Sequence, residues 1–398
     1  MIAKIYNSKV SGKVKAITSK SYAHRLMICE YLAYGKVLSS ALNSDDILAT
    51  KRCLDAIKKG EILDAAESGS TLRFLIPVVS ALGGEYTFAT HGKLASRPND
   101  ELFSVLSSHG VSAYLDGTKI KVLGKLTAGE YRLRGDISSQ YITGLLLSLP
   151  LLDGDSVIIP TTPLVSTPYI DITIEVLKDF GIDIKVEDGK FYVKGNQVFN
   201  GKSKIEGDWS NAGFFLTAGA IAGKVTVSNL NLNSKQGDKI IVDLIKKAGA
   251  LVTVSKDEVT VQSTNLKPIT FSAEDCPDVV PIASVLCAFA GGVSVINDIA
   301  RLKIKESDRV FSVISMLKTL GVKAEEKDNA LFIYGNGGKF SGGTVSSFND
   351  HRIVMASAIA GLLCAEPLVI TGAEAVNKSY PTFFDDYSLC GGKVDVEV

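Results

Sequence analysis

Two kinds of helix alternate along the chain, and each has its own pattern of apolar residues. One kind is apolar on all sides, as in WSNAGFFLTAGAIAG and CPDVVPIASVLCAFAGG, which predicts helices buried on every face. The other kind, as in YIDITIEVLKDFG, carries apolar residues at helical spacing and ends at glycine. Short hairpins separate them, such as IDIKVEDGKFYVKG around its Asp-Gly turn. The pattern predicts an α/β (α+β) fold.

The same order of elements recurs six times. Copies open near Gly35, Gly84, Gly154, Gly223, Gly292 and Glu366. The spacing is about 70 residues, except that the first interval is about 20 residues shorter. Each copy reads as a strand, an amphipathic helix and a hairpin, followed by a buried helix. The first copy lacks its hairpin, since the next helix follows AIKKG almost directly. Six buried helices favour two helical cores, with three units each.

The polar segment 196–211 separates the third copy from the fourth and predicts a domain boundary there. A short strand precedes Thr18 and could pair in either half of the chain.

Composition narrows the class of protein. The 398 residues include 43 Lys+Arg and 43 Asp+Glu, so the net charge is zero, and 46% are hydrophobic. So apolar a chain can fold, which excludes disorder. The charge balance argues against a nucleic-acid coat or a polybasic membrane binder, both of which need a basic excess. We therefore expect neither nucleic acid nor membrane as a partner.

Cysteine usage and the N-terminus point to the cytoplasm. The six cysteines form no C-x-x-C pair and lie mostly in apolar runs, which predicts reduced, buried thiols. The segment MIAKIYNSKV has no apolar signal-peptide core. The longest uncharged stretch, 279–296, contains Pro281 and a Gly-Gly pair, so it predicts a helix, a turn and a strand instead of a membrane span.

Polar and charged residues gather at the N-terminal ends of the buried helices. They are Lys20, Ser21, Arg25, Gly69, Ser70, Thr71, Arg73, Ser138, Ser139, Gln140, Asp208, Ser210, Asp278, Asn349, Asp350, His351 and Arg352. Helix N-termini bind anions through free N–H groups and the helix dipole. Capping is the alternative explanation for Asp208, Ser210 and Asp278, since Ser and Asp are ordinary N-caps. It does not account for the cations, which the dipole disfavours there, so a polyanionic ligand is expected.

Three loops add cations at one equivalent point of their copies. Arg97 precedes Pro98 in one loop, Lys378 lies in another, and a third, RLKIKESDRV, carries six charged residues from Arg301 to Arg309. A solvated charge run is the alternative for the third loop alone, but the recurrence in three copies favours a site. The dinucleotide, P-loop and zinc-ligand spacings are not met in the sequence.

Nine motifs in order carry a resemblance to a known family. They are SKSYAHR, ESGSTLRFL, SRPND, DISSQYITGLL, LVSTPYIDIT, CPDVVPIAS, KIKESDR, FNDHRIVMA and NKSYP. Together they resemble the 5-enolpyruvylshikimate-3-phosphate (EPSP) synthase, or 3-phosphoshikimate 1-carboxyvinyltransferase, family over essentially the whole chain. The resemblance implies two domains of three βαβαββ units, an inside-out α/β barrel arrangement. These would be residues 19–206, and residues 1–18 with 207–398, with the active site in the interdomain cleft.

The resemblance also implies a reaction. Family members transfer the enolpyruvyl group of phosphoenolpyruvate to the 5-hydroxyl of shikimate 3-phosphate by addition–elimination, releasing phosphate on the route to chorismate and the aromatic amino acids. No metal or other cofactor is needed, and glyphosate competes with phosphoenolpyruvate. We expect a cytoplasmic enzyme that works as a monomer.

Site residues follow from the motif positions, again as implications of the resemblance. Catalysis would fall to Lys20, to Asp278 as proton acceptor for the 5-hydroxyl, and to Glu306 as the proton-transfer group for the methylene. Shikimate 3-phosphate would contact Lys20, Ser21, Arg25, Ser138, Ser139, Gln140, Ser166, Tyr169, Asp278 and Lys305. Phosphoenolpyruvate would contact Lys20, Gly69, Arg97, Arg309, Arg352 and Lys378.

Two positions depart from the family pattern, since Glu67 and Arg301 stand where many relatives have Asn. The nearest alternative is the sister enolpyruvyl transferase that acts on UDP-N-acetylglucosamine. That family has a loop Cys and a Lys-Asn pair, where this chain has Arg97 and Lys20-Ser21. A non-enzymatic alternative, a ring clamp on DNA, needs a basic inner face along its helices, whereas these helices are apolar.

Overall fold

The computed structural model describes residues 1–39 and 43–397. The chain divides into two compact units. The discontinuous unit comprises Met1–Thr18 and Glu206–Val398, and the continuous unit comprises Ser19–Ile205. The division falls one residue before the expected boundary, inside the polar segment 196–211.

Both predicted kinds of helix are present, and the α/β prediction is confirmed. The buried helices are α1 (Lys20–Tyr34), α3 (Gly69–Leu82), α5 (Ser139–Ser148), α7 (Trp209–Ala222), α9 (Val280–Phe289) and α11 (His351–Gly361). The amphipathic helices are α2 (Asp45–Lys59), α4 (Asp100–Ser107), α6 (Thr167–Asp179), α8 (Ile241–Ala248), α10 (Arg309–Thr319) and α12 (Phe383–Leu389).

The strands form five four-stranded sheets in the described part of the chain. Two belong to the continuous unit: β3 (Leu63–Asp64), β4 (Gly84–Ala89), β6 (Lys119–Gly124) and β5 (Val111–Asp116) in one, and β7 (Glu130–Leu133), β8 (Ser156–Pro160), β10 (Lys190–Val193) and β9 (Ile184–Glu187) in the other. Three belong to the discontinuous unit. The first holds β2 (Val10–Lys15), β11 (Gly223–Ser228), β13 (Glu258–Gln262) and β12 (Leu251–Ser255). The second holds β14 (Thr270–Ser272), β15 (Gly291–Asn297), β17 (Ala330–Asn336) and β16 (Lys323–Lys327). The third holds β18 (Gly343–Ser346), β19 (Leu368–Thr371), β1 (Ile2–Tyr6) and β20 (Lys393–Glu397).

Every sheet follows one plan, in which a parallel pair is extended by two antiparallel strands. In the last sheet β1 lies between β19 and β20, antiparallel to both, and so fills the position that the second hairpin strand fills in the others. The N-terminal segment therefore supplies two strands instead of the single expected strand, because β2 pairs in parallel with β11. Both belong to the discontinuous unit.

The first copy is smaller than expected. It keeps the amphipathic helix α2 and the buried helix α3, but no strand is assigned before α2 in residues 36–39 or 43–44, and residues 40–42 lie outside the described residues. The predicted strand of this copy is therefore wrong where it can be examined.

Each unit has its own apolar core, built around three of the buried helices. In the continuous unit a Cβ at Gly144 of α5 would overlap the carbonyl oxygen of Arg73 on α3, so glycine permits this close approach of the two backbones. The segment predicted to be helix, turn and strand is α9 followed by β15. In residues 1–39 and 43–397, no helix combines the length and apolar character needed to cross a membrane.

Candidate active site

The predicted site residues fall into two groups, one in each unit. The continuous-unit cluster contains Lys20, Ser21, Arg25, Gly69, Arg97, Ser138, Ser139, Gln140, Ser166 and Tyr169. The discontinuous-unit cluster contains Asp278, Lys305, Glu306, Arg309, Arg352 and Lys378.

Lys20 begins α1 and forms an ion pair with a residue in the first turn of α2. Its Nζ lies 2.7 Å from Oδ2 of Asp46, and the side chains are 18% and 17% exposed. Water screens such a half-buried pair less than an exposed one. Asp46 therefore holds a cation at a helix N-terminus, where the helix dipole opposes it.

Arg25 is one turn further along α1, is 2% exposed, and hydrogen-bonds to neutral oxygens. Its Nε donates to Oγ1 of Thr173 at 2.7 Å, and its Nη groups donate to the carbonyl oxygens of Ser21 and Tyr169 and to Oγ1 of Thr143. Burial lowers the pKa of Arg25 to about 10. A buried guanidinium held by neutral acceptors suits an anionic ligand that supplies the missing charge.

Gly69 and Arg97 meet at the start of α3. Ser68 caps this helix and accepts a hydrogen bond from the Thr71 N–H at 3.3 Å. A Cβ at Gly69 would lie 2.8 Å from Nη1 of Arg97, so the guanidinium rests directly against the glycine. Glycine is thus needed here for the close approach of the Arg97 side chain.

The N-terminus of α5 presents two buried serines. Ser138 caps the helix by accepting a hydrogen bond from the Gln140 N–H at 3.3 Å, and Ser139 is the first helical residue. Their exposed fractions are 8% and 5%. Two hydroxyls beside free N–H groups form an arrangement that binds phosphate. The Gln140 side chain accepts a hydrogen bond from Arg73 and donates one to Ser70.

Ser166 precedes α6 with a left-handed backbone, at φ 54° and ψ 41°. This conformation is uncommon for residues other than glycine and often occurs at functional sites. Tyr169 follows within the first turn of α6, and its carbonyl oxygen accepts the hydrogen bond from Arg25 at 2.9 Å.

In the discontinuous unit, Asp278 lies just before α9 and contacts three cations. Its carboxylate accepts hydrogen bonds from Nη1 of Arg309 at 2.5 Å and Nη2 of Arg352 at 3.0 Å, and Nζ of Lys305 lies 3.9 Å away. Burial raises the pKa of Asp278, but Arg352, Lys305 and Arg309 attract its charged form more strongly. The net effect holds the pKa well below the usual range for Asp, so the carboxylate is ionised.

Arg309, at the start of α10, is 1% exposed and contacts three carboxylates. Besides Asp278, its Nη2 contacts Glu306 at 2.8 Å and its Nε contacts Asp350 at 2.9 Å. Burial lowers the pKa of Arg309, but the three carboxylates raise that pKa by more than burial lowers it. The pKa of Arg309 therefore lies well above its usual value. The fully buried Asp350 also caps α11 by accepting a hydrogen bond from the Arg352 N–H at 2.9 Å, so it links two helix N-termini.

Lys305 follows a short 3-10 helix, Ala300–Ile304. Burial lowers its pKa to about 8; Asp278 opposes this shift, whereas Arg301 and Arg309 add to it. Lys305 therefore exchanges its proton near pH 8, where an ordinary lysine stays protonated.

Lys378 ends a 3-10 helix, Ala373–Lys378, and contacts a turn that precedes α11. Its Nζ donates a hydrogen bond to the carbonyl oxygen of Asn349 at 2.9 Å. Phe348 and Asn349 both have positive φ, at 50° and 58°, and this left-handed turn leads into Asp350. The predicted cations of two separate loops, Lys378 and Lys305, thus lie in the same unit as Asp278.

Three acidic residues act beside the predicted set. Asp46 and Asp350 pair with cations, and Asp238 lies buried in the 3-10 helix Gly237–Ile240, where Ser210 donates a hydrogen bond to it. Burial, followed by the charge of Asp278, raises the pKa of Asp238 to about 7. Their sequence neighbourhoods resemble ordinary helix caps, so only their position relative to the cations distinguishes them.

A comparison with known sequences identifies the family. The sequence model of EPSP synthase (3-phosphoshikimate 1-carboxyvinyltransferase) matches residues 57–387. The chain belongs to the EPSP synthase family. It is 39% identical to a 3-phosphoshikimate 1-carboxyvinyltransferase from Clostridium novyi and 40% identical to one from Clostridium kluyveri. The alignments cover 98% of this chain in both cases, and 98% and 97% of the relatives.

Two solved structures share the fold. EPSP synthase from Acinetobacter baumannii superposes with a TM-score of 0.81 at 24% identity, covering 99% of this chain and 100% of that one. The enolpyruvyl transferase NikO from Streptomyces tendae superposes with a TM-score of 0.78 at 17% identity, covering 99% and 98%. These likenesses support the predicted architecture of repeated α/β units.

The two departures from the family pattern have identifiable surroundings. The carboxyl group of Glu67 lies against Gly92, where an added Cβ would be 2.7 Å from the Glu67 Cδ. Arg301 lies close enough to Lys305 to help lower the pKa of that lysine.

Proposed function

We propose that this chain transfers the enolpyruvyl group of phosphoenolpyruvate to the 5-hydroxyl of shikimate 3-phosphate and releases phosphate. Membership of the EPSP synthase family over nearly the full length is the observation that carries the proposal. The buried cations at helix N-termini support it, because the two substrates together bring two phosphates and two carboxylates.

Shikimate 3-phosphate is assigned mainly to the continuous-unit cluster. Ser138, Ser139 and the N-terminus of α5 would hold the phosphate, with Gln140 and Ser166 beside them. Arg25 would supply a buried positive charge, and Tyr169 would flank the ring. Lys20 and Ser21 would complete the set, with Asp278 and Lys305 at the ring.

Phosphoenolpyruvate is assigned to Lys20, Gly69, Arg97, Arg309, Arg352 and Lys378. Arginine suits this role because its planar guanidinium can bind a carboxylate or phosphate through two parallel hydrogen bonds. The contact of Arg97 with Gly69 supports a place for one anionic group there.

The chemistry needs one proton acceptor and one proton donor. Asp278 would take the proton of the 5-hydroxyl while the hydroxyl oxygen bonds to C2 of phosphoenolpyruvate. Glu306 would protonate the methylene carbon, which requires that substrate binding first release it from Arg309 so that it carries a proton. Elimination then returns a methyl proton to Glu306 and breaks the C2–O bond, so that phosphate leaves with the proton held by Asp278 and the enolpyruvyl ether remains. Lys20 would stabilise the charge that develops on the phosphate.

The ion pairs of Asp278 place a condition on this mechanism. While Arg309 and Arg352 bind its carboxylate, its low pKa makes it a weak base. Substrate anions that engage these guanidinium groups would weaken their hold on Asp278 and raise its pKa. Substrate binding would thereby activate the base.

The reaction is proposed to require no metal or organic cofactor, and the chain is proposed to work as a cytoplasmic monomer. All six cysteines are free and buried, which supports a reducing compartment. The presence of both clusters in one chain supports function as a monomer, which light scattering of the purified protein would test.

The decisive experiment measures phosphate release from phosphoenolpyruvate with and without shikimate 3-phosphate. We expect release only when both substrates are present, and no release when shikimate replaces its 3-phosphate. Lys20→Ala and Arg352→Ala should abolish turnover while leaving the protein folded. Release that does not depend on shikimate 3-phosphate, or no release at all, would contradict the proposal.

A further inference from the structure

Arg73 is a buried arginine of α3 that the proposed reaction does not use. Its side chain is 4% exposed and extends to three partners in two other segments. Nε donates to Oδ1 of Asn99 at 3.1 Å, Nη1 to Oε1 of Gln140 at 2.8 Å, and Nη2 to the carbonyl oxygen of Pro98 at 2.8 Å. All three nitrogens of the guanidinium are engaged in different directions.

Two of these partners control the loop that carries Arg97. Pro98 and Asn99 follow it directly, and Nδ2 of Asn99 donates back to the carbonyl oxygen of Arg97 at 3.0 Å. The Asn99 amide is thus fixed at both ends, by Arg73 on one side and by the Arg97 backbone on the other. The position of the Arg97 side chain against Gly69 depends on this loop.

The third partner is a residue assigned to the other substrate. Gln140 accepts the hydrogen bond from Arg73 and donates one from Nε2 to Oγ of Ser70 at 3.0 Å. Both amide atoms of Gln140 therefore bond to α3: Arg73 holds Oε1, and Nε2 is left to donate to Ser70, which together fix the orientation of the side chain.

The guanidinium is itself held in place. It lies over the ring of Tyr141, 5.5 Å from the centroid, and the Tyr141 hydroxyl donates to the same Pro98 carbonyl oxygen at 2.5 Å. A lysine could supply the charge but not three donors in a fixed plane.

We propose that Arg73 is a positioning residue that fixes the Arg97 loop and the Gln140 side chain together, so that one guanidinium aligns the phosphoenolpyruvate and shikimate 3-phosphate contacts of the continuous unit. This inference rests on the proposed function. Arg73 acts through its neighbours and does not touch the reacting atoms. Its loss should therefore weaken substrate use more than it slows the chemical step of the bound complex.

The test is a steady-state comparison of Arg73→Lys and Asn99→Ala with the wild-type enzyme. We expect Arg73→Lys to raise KM for both substrates about tenfold, because misplacement of binding groups by a fraction of an ångström is costly. Asn99→Ala should raise KM for phosphoenolpyruvate and leave KM for shikimate 3-phosphate within about twofold, since it frees only the Arg97 loop. Arg132→Lys is the matched control, because that arginine is 61% exposed and pairs with Glu130 at the surface.

Thermal unfolding of each variant separates positioning from a purely structural role. A structural role would lower Tm and leave both KM values of the folded enzyme unchanged, and that result in Arg73→Lys would overturn the inference. If Arg73→Lys does not fold, Asn99→Ala decides, and equal shifts of the two KM values in it would contradict the proposal. A wild-type enzyme that shows no activity would remove the proposed function and this inference together, whereas an active wild type with unchanged variants would remove only the inference.

Discussion

The guanidinium of Arg309 donates a 2.5 Å hydrogen bond to the carboxylate of Asp278 while it also contacts Glu306 and Asp350. Two carboxylates assigned to proton transfer are therefore held by one buried cation. This link makes the basicity of Asp278 depend on how strongly Arg309 is engaged elsewhere. A substrate anion is the natural competitor.

Asp278→Asn should remove the proton acceptor and leave the fold intact. We expect kcat to fall by about 10²–10⁴, the range typical of a lost general base. KM for the anionic substrates should stay equal or fall, because Arg309 and Arg352 lose a competing negative charge. Coupled phosphate-release assays measure both constants.

Asp275→Asn provides the control for this change, since Asp275 is exposed three residues earlier in the same segment. It should keep wild-type kinetics. An Asp278→Asn enzyme with kcat within about threefold of wild type would exclude Asp278 as the base.

Much of the fold could be predicted because short stretches of the sequence determine the helices and hairpins. Periodicity distinguished buried from amphipathic helices, and Asp-Gly turns marked hairpins such as that of β9 and β10. Local pattern could not place β1, because its partners β19 and β20 lie at the other end of the chain, and only the family resemblance grouped residues 1–18 with 207–398. The local pattern predicts that a segment forms a strand but does not predict which strands pair with it. The first copy lacks the hairpin because the corresponding residues are missing from the sequence.

The candidate site likewise has features that the sequence predicts and features that arise only on folding. Cations at helix N-termini were visible in the sequence because the dipole makes them unfavourable without an anion. Their internal partners were not visible, since Asp46 and Asp350 resemble ordinary caps and pair with Lys20 and Arg309 only after folding. The low pKa of Lys305 likewise arises from burial, which no local pattern specifies.

Lys305 should take up protons when shikimate 3-phosphate binds. Its pKa is lowered to about 8 by burial, so a large part of the lysine is neutral near pH 8, and the bound anionic substrate would favour the ammonium form. Calorimetry at pH 8 in buffers of different ionisation enthalpy should reveal the uptake. At pH 6 the lysine is already protonated, and the uptake from it should vanish.

Lys305→Met should eliminate this uptake, whereas Lys303→Met should keep it, since the half-exposed Lys303 pairs with Glu326. An equal uptake in wild type and Lys305→Met would exclude this lysine as its source.

The lowered pKa of Lys305 also affects stability, in the opposite direction to that of a lysine whose pKa is raised by an ion pair. The folded chain binds fewer protons here than the unfolded chain between about pH 8 and 10.5, so the contribution of Lys305 to the free energy of unfolding rises through that window.

Arg25→Met should weaken binding of shikimate 3-phosphate without a comparable loss of stability. The charge of Arg25 is buried among neutral acceptors, so its removal relieves a desolvation cost. Its acceptors keep other partners, because Thr173 bonds to Thr143 at 3.1 Å and to the Tyr169 carbonyl oxygen at 2.9 Å. We expect the affinity for shikimate 3-phosphate, measured by calorimetry, to fall tenfold or more. This loss corresponds to about the free energy that a hydrogen bond to a charged group contributes.

The free energy of unfolding, measured in urea, should change by about 1 kcal/mol or less. Arg52→Met, at an exposed position of α2, serves as the control for arginine removal. Unchanged affinity together with marked destabilisation would assign Arg25 to the core instead of the site.

Gly69→Ala should selectively weaken the use of phosphoenolpyruvate. The new Cβ would lie 2.8 Å from Nη1 of Arg97, closer than side-chain contacts permit, so the guanidinium must move. The Gly69 backbone lies in an ordinary helical region, and alanine is the better helix former, so the fold should tolerate the change. We expect KM for phosphoenolpyruvate to rise about tenfold and KM for shikimate 3-phosphate to stay within about twofold.

Gly291→Ala is the matched control, because a Cβ there meets nothing within 4 Å. If Gly69→Ala raised KM for shikimate 3-phosphate alone, Arg97 would belong to the other substrate.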